Sequence, residues 1–352
     1  MKRLSSLERM LAAVRLQEPD MVPTFETHIE SKVREEIKPG LAYADFIEYM
    51  DLDAIVFTEL GNDGYKMLDE SKGLIRDKWG ALKRFNAGSE LVSVFVEAPI
   101  KSDKDLEEYV PPDPDLYPGY KVLEEYVKRF KGKRAVMACL VDPFLAIRDS
   151  LFGQVEYFKA IKTNPDIIDR LHEIAGNYHL GWVKNCIDIG ADIIFVTTDI
   201  ATSVGPMLSP KDTERFIMPY NKKIIQYAKS RGVPCLRHTD GNIWQIFDML
   251  IDAGYDAIHP IDPVAGMDLG EVKEKYGNKI CLMGNVDCSH LLTWGTTGEV
   301  RQAVKKCMIQ AGKGGGYICT SSNTIHSAVK PENYTAMVEA IREYGKYPIS
   351  FE

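Results

Sequence analysis

The chain has 352 residues, 45% of them hydrophobic, enough for a sizeable core and too many for a disordered polymer. Its 43 basic and 51 acidic residues leave a net charge of −8, and without a Lys/Arg-rich run this balance suits nucleic-acid phosphates poorly. Seven scattered cysteines with no C-x-x-C pair read as free thiols in a reducing compartment rather than a disulfide framework. The short basic stretch Lys128-Arg129-Phe130-Lys131 reads as a solvated helix face. Glu8 and Arg9 interrupt the only early apolar stretch, and no run approaches the ~20 apolar residues of a spanning helix. A soluble, cytoplasmic protein is expected.

Eight short apolar or β-branched runs, each ending in a polar residue, predict strands. Val22-Pro23-Thr24-Phe25 ends at Glu26, and Ala54-Ile55-Val56-Phe57 ends near Glu59. Residues 135–141 end at Asp142, and Ile193-Ile194-Phe195-Val196 runs through Thr197-Thr198 to Asp199. Pro234-Cys235-Leu236-Arg237 leads to His238 and Asp240, and Ala257-Ile258-His259 has Asp262 just beyond it. Residues 279–283 lead into Gly284-Asn285-Val286-Asp287, and Gly316-Tyr317-Ile318-Cys319 into Thr320-Ser321-Ser322-Asn323. Helix-period segments over 166–189, 210–230, 243–253, 269–276, 298–311 and 331–344 accompany the later runs. The alternation predicts an α/β fold over 1–352, a single (β/α)8 TIM barrel. Residues 61–117 break the pattern. There Trp79-Gly80, the alternating run Leu91-Val92-Ser93-Val94-Phe95-Val96-Glu97 and Pro111-Pro112-Asp113-Pro114 predict an inserted hairpin and lid over the barrel mouth.

In such a barrel the C-terminal strand ends converge on one bowl, here bringing in Glu26, Glu59, Asp142, Asp199, His238, Asp240, Asp287 and Asn323. A lone polar residue after a strand is commonly a helix cap, and Asp142 before Pro143 and Ser209 before Pro210 read that way. A cap does not account for His238-x-Asp240 followed by Gly241-Asn242. An imidazole beside a carboxylate suits metal binding or proton transfer, and the glycine lets the backbone turn tightly under a ligand. His172 and His179 share a helix face without H-E-x-x-H spacing, His259 reads as packing and His290 as a helix start. His28 and His326 sit just past the first and eighth strands, within reach of the bowl. Neither a phosphate loop nor G-x-G-x-x-G is present, so no nucleotide cofactor is expected.

From about residue 145 onward the chain resembles the uroporphyrinogen decarboxylase superfamily. The carrying residues are Gly190-Ala191-Asp192 leading to Asp199, Gly205-Pro206-Met207-Leu208-Ser209-Pro210 and Met218-Pro219-Tyr220, then His238-Thr239-Asp240-Gly241-Asn242, Gly284-Asn285-Val286-Asp287 and Pro331-Glu332-Asn333. The resemblance implies the barrel. Its decarboxylases begin with an Arg-Gln-Ala-Gly-Arg motif that grips substrate carboxylates, whereas the corresponding stretch here is Thr24-Phe25-Glu26-Thr27-His28. Glu26 would repel a porphyrinogen's carboxylates. The other branch holds methyltransferases serving corrinoid proteins, and members acting on thiols bind zinc through His-x-Cys and a later Cys. His238 matches the His, Asp240 replaces the first Cys, and Asn323 falls at or near the second. Nitrogen and oxygen ligands form a harder set than thiolates, which argues against a thiol acceptor.

The resemblance thus implies a methyltransferase taking the methyl group of a methoxylated aromatic to the cobalt(I) of a corrinoid protein. His238, Asp240 and Asp199 are the expected catalytic residues. His238 and Asp240 are either zinc ligands or a proton donor and its orienting carboxylate. Glu26, Glu59, Asn285 and Asn323 are the expected substrate-binding residues. The chain lacks the Asp-x-His-x-x-Gly motif that binds a corrinoid, so the cofactor is expected on a separate partner protein, and the family implies a homodimer. Rival readings are another methyl donor (methylamine, methanol or a thiol), a decarboxylase-like lyase, and a non-catalytic binding barrel. A quaternary amine would call for an aromatic cage, for which Trp79, Trp244, Tyr65 and Tyr317 are available, although packing explains them equally well.

Overall fold

The computed structural model describes residues 3–59, 65–85 and 93–351. In chain order the strands are β1 (Ala54–Thr58), β2 (Lys66–Asp69), β3 (Leu74–Arg76), β4 (Leu82–Phe85), β5 (Ser93–Glu97), β6 (Ala135–Leu140) and β7 (Ile193–Thr197). They continue with β8 (Ala201–Thr202), β9 (Gly205–Pro206), β10 (Cys235–His238), β11 (Ala257–His259), β12 (Cys281–Met283) and β13 (Tyr317–Ile318). Seven of them form one curled parallel sheet in the order β1-β6-β7-β10-β11-β12-β13. This is an α/β architecture compatible with a TIM-like barrel. Crossover helices include Pro165–Ile189, Met218–Ser230, Leu269–Tyr276 and Thr297–Cys307. Pro at the first helical turn suits the starts of Pro165–Ile189 and Pro331–Tyr344, because the first N–H groups of a helix lack partners anyway. The expected helix over 210–230 is continuous except for a π-turn at Thr213–Ile217.

Successive strand residues point to opposite faces, so each strand feeds two apolar layers. Ala54, Val56, Met137, Phe195, Leu236, Ala257, Met283 and Ile318 pack together on the concave side, where the helix Ser6–Val14 adds Met10, Ala13 and Val14. Ile55, Phe57, Val136, Ile194 and Ile258 pack outward against the helices. The same parity carries Thr58, Thr197, His238 and His259 onto the concave side at the C-terminal strand ends.

The first expected strand is not one. Among the described residues Val22-Pro23-Thr24-Phe25 forms no strand, because Pro23 has no N–H to donate and a side chain intervenes. The Thr24 amide donates to the Asp53 carboxylate (2.9 Å) rather than to a strand carbonyl. The segment still touches both edges of the sheet. The Asp53 amide donates to the Thr24 carbonyl (2.7 Å), and the Cys319 amide to the Pro23 carbonyl (3.0 Å).

The insertion is larger than a hairpin: β2-β3-β4-β5 make a four-stranded antiparallel sheet. Residues 61–64 and 86–92, including Leu91 and Val92 of the expected alternating run, lie outside the described residues. Trp79 sits in the β3–β4 turn, where the Asp77 carboxylate accepts from the amides of Trp79 (3.0 Å) and Ala81 (2.9 Å). Its ring is buried against Tyr178 of the long helix, with centroids 4.8 Å apart. All seven cysteines are buried free thiols. Among the described residues no helix is long and apolar enough to cross a membrane.

Asp53 is fully buried and ties four segments together. It accepts from Arg9 of the first helix, from Arg342 of the last helix (3.1 Å) and from the Thr24 amide, and it directly precedes β1. A buried carboxylate is tolerated only when it is paired in this way. Asp53→Ala leaves two guanidinium groups without their shared acceptor, and removing one partner of a buried pair costs about 3–5 kcal/mol. The denaturant midpoint should fall accordingly with an unchanged m-value, whereas an unshifted midpoint would mean the network adds nothing to stability.

Candidate functional site

His238 is the last residue of β10 and stands in register between Thr197 of β7 and His259 of β11. The chain then turns sharply, held by backbone donors. The Thr239 amide bonds the His259 carbonyl (2.9 Å), the Asp240 amide bonds Asp199 Oδ1 (2.9 Å), and the Gly241 amide bonds Asp262 Oδ2 (2.9 Å). Gly241 has φ +96°, and a Cβ there would lie 2.7 Å from the Thr202 carbonyl oxygen. The glycine therefore allows the tight turn expected of it, and it is also required by the neighbouring backbone of β8.

The outcome is a compact group of three side chains. His238 Nε2 lies 3.6 Å from Asp199 Oδ1 and 3.6 Å from Asp240 Oδ1. One ligand atom from each residue lies within 4.8 Å of the others. Asn323 Nδ2 donates to Asp240 Oδ2, which pins that carboxylate, while Asp240 Oδ1 is buried with no hydrogen-bond partner among the described residues. The Asp199 side chain is 42% exposed and His238 is 11% exposed, so the group opens to solvent on the Asp199 side. Burial, with Asp199 and Asp262 beside it, pushes the Asp240 carboxyl up to about 8. Burial also lowers His238, against the opposing pull of Asp199.

A resident zinc ion is implied by the family resemblance, and the donors can be tested against it. Separations of 3.6 Å are close to the ~3.4 Å expected between two ligands about 2.1 Å from one tetrahedral ion. An unpartnered carboxylate oxygen facing an imidazole nitrogen is the donor arrangement a divalent cation would satisfy. The residues fit.

Behind His238 stands His259. The two Nδ1 atoms are 2.7 Å apart, and His259 Nε2 lies 3.0 Å from Thr320 Oγ1 and 3.2 Å from the Ser321 carbonyl oxygen. Burial holds the His259 ring well below the usual imidazole range, and so neutral. Packing alone does not describe this residue, which corrects its sequence reading. The signal was available: His259 shares the inward parity of Ala257, as His238 shares that of Leu236.

The other expected residues divide. Asn323 joins the group through Asp240. Glu26 is buried just behind it, accepting from the Ser321 amide (3.0 Å) and hydroxyl (2.5 Å), with its carboxyl pushed up to about 8 by burial. Glu59 is fully buried and paired with Lys78 of the insertion, with His179 Nε2 at 3.8 Å. Asn285 points away. Its Nδ2 donates to the Ile261 carbonyl (2.8 Å), and it lines a separate cavity of about 370 Å³ with Met267, Asp268, Lys306 and Cys307. Glu26, Glu59 and Asn285 are thus each held by protein partners, with Glu59 Oε2 left without a hydrogen bond among the described residues.

The expected caps are caps: Asp142 receives the Leu145 amide (3.2 Å) and pairs with Arg237 (2.8 Å), and Ser209 receives the Asp212 amide (3.1 Å). His172 bonds the Tyr157 hydroxyl (2.8 Å), His290 directly precedes the helix Leu291–Trp294, and His326 Nε2 lies 3.2 Å from the Cys288 carbonyl. Tyr317 is buried with its hydroxyl on the Gly284 carbonyl, and Trp244 packs toward Tyr276, so neither contributes to an aromatic cage.

Comparison with known proteins was made by sequence and by structure. Residues 84–344, about three quarters of the chain, match the family model described as Uroporphyrinogen decarboxylase (URO-D). The uroporphyrinogen decarboxylase of Psychromonas ingrahamii is 26% identical over 260 residues, covering 70% of each chain. That of Vibrio cholerae is 27% identical over 289 residues, covering 77% of this chain and 76% of its own. A methyltransferase structure from Methanosarcina mazei superposes with a TM-score of 0.75 at 17% identity, covering 97% of this chain and 99% of its own, a likeness of fold. On the span of the family match, carried through the strands that hold Asp199, His238 and Asp240, the chain belongs to the uroporphyrinogen decarboxylase family.

Proposed function

We propose that this chain is a methyltransferase that moves the methyl group of a methoxylated aromatic to the cobalt(I) of a separate corrinoid protein, an O-demethylation. The carrying observation is the Asp199–His238–Asp240 group, with Asp240 Oδ1 unpartnered beside His238 Nε2 at the strand ends. An aryl methyl ether loses its methyl group to a nucleophile only as a phenolate departs, and phenols have pKa values near ~10. A proton or Lewis acid is therefore needed on the ether oxygen as charge develops. A zinc ion held by His238 Nε2, Asp240 and Asp199 would supply the Lewis acid. In its absence Asp240, raised to about 8, holds a proton at neutral pH and presents it from Oδ1, while Asn323 fixes Oδ2. Asp199 orients Asp240 through its backbone amide. The segment of Pro23 and Thr24 would close the sheet into a barrel, with the insertion, anchored by Lys78 on Glu59, serving as a lid. The chain would act as a homodimer beneath its corrinoid partner.

Decarboxylation is the second reading, favoured by the activity for which the sequence relatives are named. The acidic group weighs against it. Asp199 and Asp262 stand beside the proton-holding Asp240 at the strand ends, and carboxylates there repel a substrate carrying many carboxylates. Incubation with uroporphyrinogen should release no carbon dioxide above background. Sustained release would replace the methyltransferase reading.

Mixed with a reduced corrinoid protein and a panel of methoxylated aromatics, methanol, methylamines and thiols, the chain should produce the visible spectrum of methyl-cobalt(III) from the methoxyarenes. No methylation from any donor, with a partner shown to be competent, would sink the reading. His238→Ala should lower the methyl-transfer rate by about 10²–10⁴, the usual range for removing an acid–base group, with the thermal midpoint little changed. Asp240→Asn keeps the shape and the Asn323 contact but loses the titrating oxygen, so it should fall in the same range. Wild-type rates in either variant would reassign the site. Loss of activity on chelation, restored by zinc, would identify the metal form as the working one.

A further inference from the structure

A histidine has two ring nitrogens, and the site works only if Nε2 of His238 is the one presented to Asp199 and Asp240. We propose that His259 is a positioning residue that fixes the tautomer of His238, through a hydrogen-bonded chain anchored by Ser321 and Glu26. The inference deepens the proposed function, since it rests on His238 being the working group of the site.

The protons can be placed one at a time. His259 Nε2 lies 3.2 Å from the Ser321 carbonyl oxygen, and a carbonyl only accepts. It also lies 3.0 Å from Thr320 Oγ1, whose own proton goes to that same carbonyl at 2.8 Å, leaving a lone pair for the ring. Both neighbours require a proton on His259 Nε2. The ring is fully buried and neutral, so its Nδ1 carries a lone pair. His238 Nδ1, 2.7 Å away, must therefore be the donor. Two forms of His238 satisfy this: the neutral ring with Nε2 open, and the doubly protonated ring. The neutral tautomer with Nδ1 bare is shut out, because two lone pairs would then face each other at 2.7 Å.

Ser321 is itself held in place. Its amide donates to Glu26 Oε1 (3.0 Å) and its hydroxyl to Glu26 Oε2 (2.5 Å), which fixes the peptide whose carbonyl meets His259. Glu26 thus belongs to the site without touching its open side. The chain runs from the Glu26 carboxyl through Ser321 and His259 to His238, crossing from the segment before β1 to β13, β11 and β10. Metal-binding histidines are commonly oriented in this way by a partner on the second nitrogen.

The direct test is nuclear magnetic resonance of the full-length, metal-free protein labelled with ¹⁵N-histidine, using two-bond proton–nitrogen couplings to read which nitrogens are protonated. His238 should be protonated at Nδ1, and His259 at Nε2 alone. A bare Nδ1 on His238 overturns the proposal, whether or not the protein transfers methyl groups. Variants give the second arm. His259→Phe keeps bulk but cannot accept, and should weaken zinc binding about 10–100-fold in competition titrations. His259→Gln offers one acceptor and one donor in the same places, and should restore most of that affinity and the Nδ1-protonated state of His238. Equal zinc affinity in wild type and folded His259→Phe overturns the proposal. If the phenylalanine variant does not fold, the wild-type spectrum and the glutamine variant decide. If wild type binds no zinc, the metal form of the functional reading fails, while the tautomer spectrum still decides the role of His259.

Discussion

The two histidines of the site stand where they do because strand residues two apart point the same way. Leu236 faces the concave side, so His238 does; Phe195 does, so Thr197 does; Ala257 does, so His259 does. The strands are apolar along their lengths and turn polar at their C-terminal ends. That change in composition places a polar layer above an apolar one. A one-residue slip in β10 would exchange His238 with Arg237, which now sits on the outer face paired to Asp142, and would lose both the site and a buried ion pair.

The layer is costly to hold. Asp199, Asp240 and Asp262 crowd one imidazole, and burial together with the two neighbouring carboxylates raises the Asp240 carboxyl to about 8. Other buried carboxylates are paired with guanidinium groups: Asp142 has Arg237, and Asp53 has Arg9 and Arg342. At His238 the nearby guanidinium of Arg148 pairs with Asp149 and reaches only the Asp199 carbonyl (3.4 Å), and Asp240 Oδ1 is unpartnered. The unpartnered Asp240 Oδ1 beside His238 Nε2 is where a metal ion or a proton would sit.

The chain belongs to the uroporphyrinogen decarboxylase family over most of its length, yet the stretch that carries arginines in the resembling decarboxylases here supplies Glu26, which is turned inward onto Ser321. One scaffold can host different reactions because the strands set positions and the residues at their ends set the chemistry. Asp240 and Asn323, which come from different strand ends, are joined to each other by a hydrogen bond.

Local rules in the sequence were enough to place seven strands, six helical segments from residue 166 onward and the pair His238 and Asp240. Apolar runs, proline starts and glycine stops act over a few residues and need no partner. Asp199 was also legible, because a polar residue at a strand end reaches the bowl wherever it lies in the chain. What the tertiary structure decided was which polar atoms remain free. Glu59 is neutralised by Lys78 from an insertion nineteen residues on, Asn285 turns to the Ile261 carbonyl, and Glu26 is taken by Ser321, 295 residues away. The loss of the first strand has the same origin, since the Asp53 carboxylate takes the Thr24 amide. The role of His259 depends on hydrogen bonds to β10 and to the residues after β13, contacts that no spacing in the chain encodes.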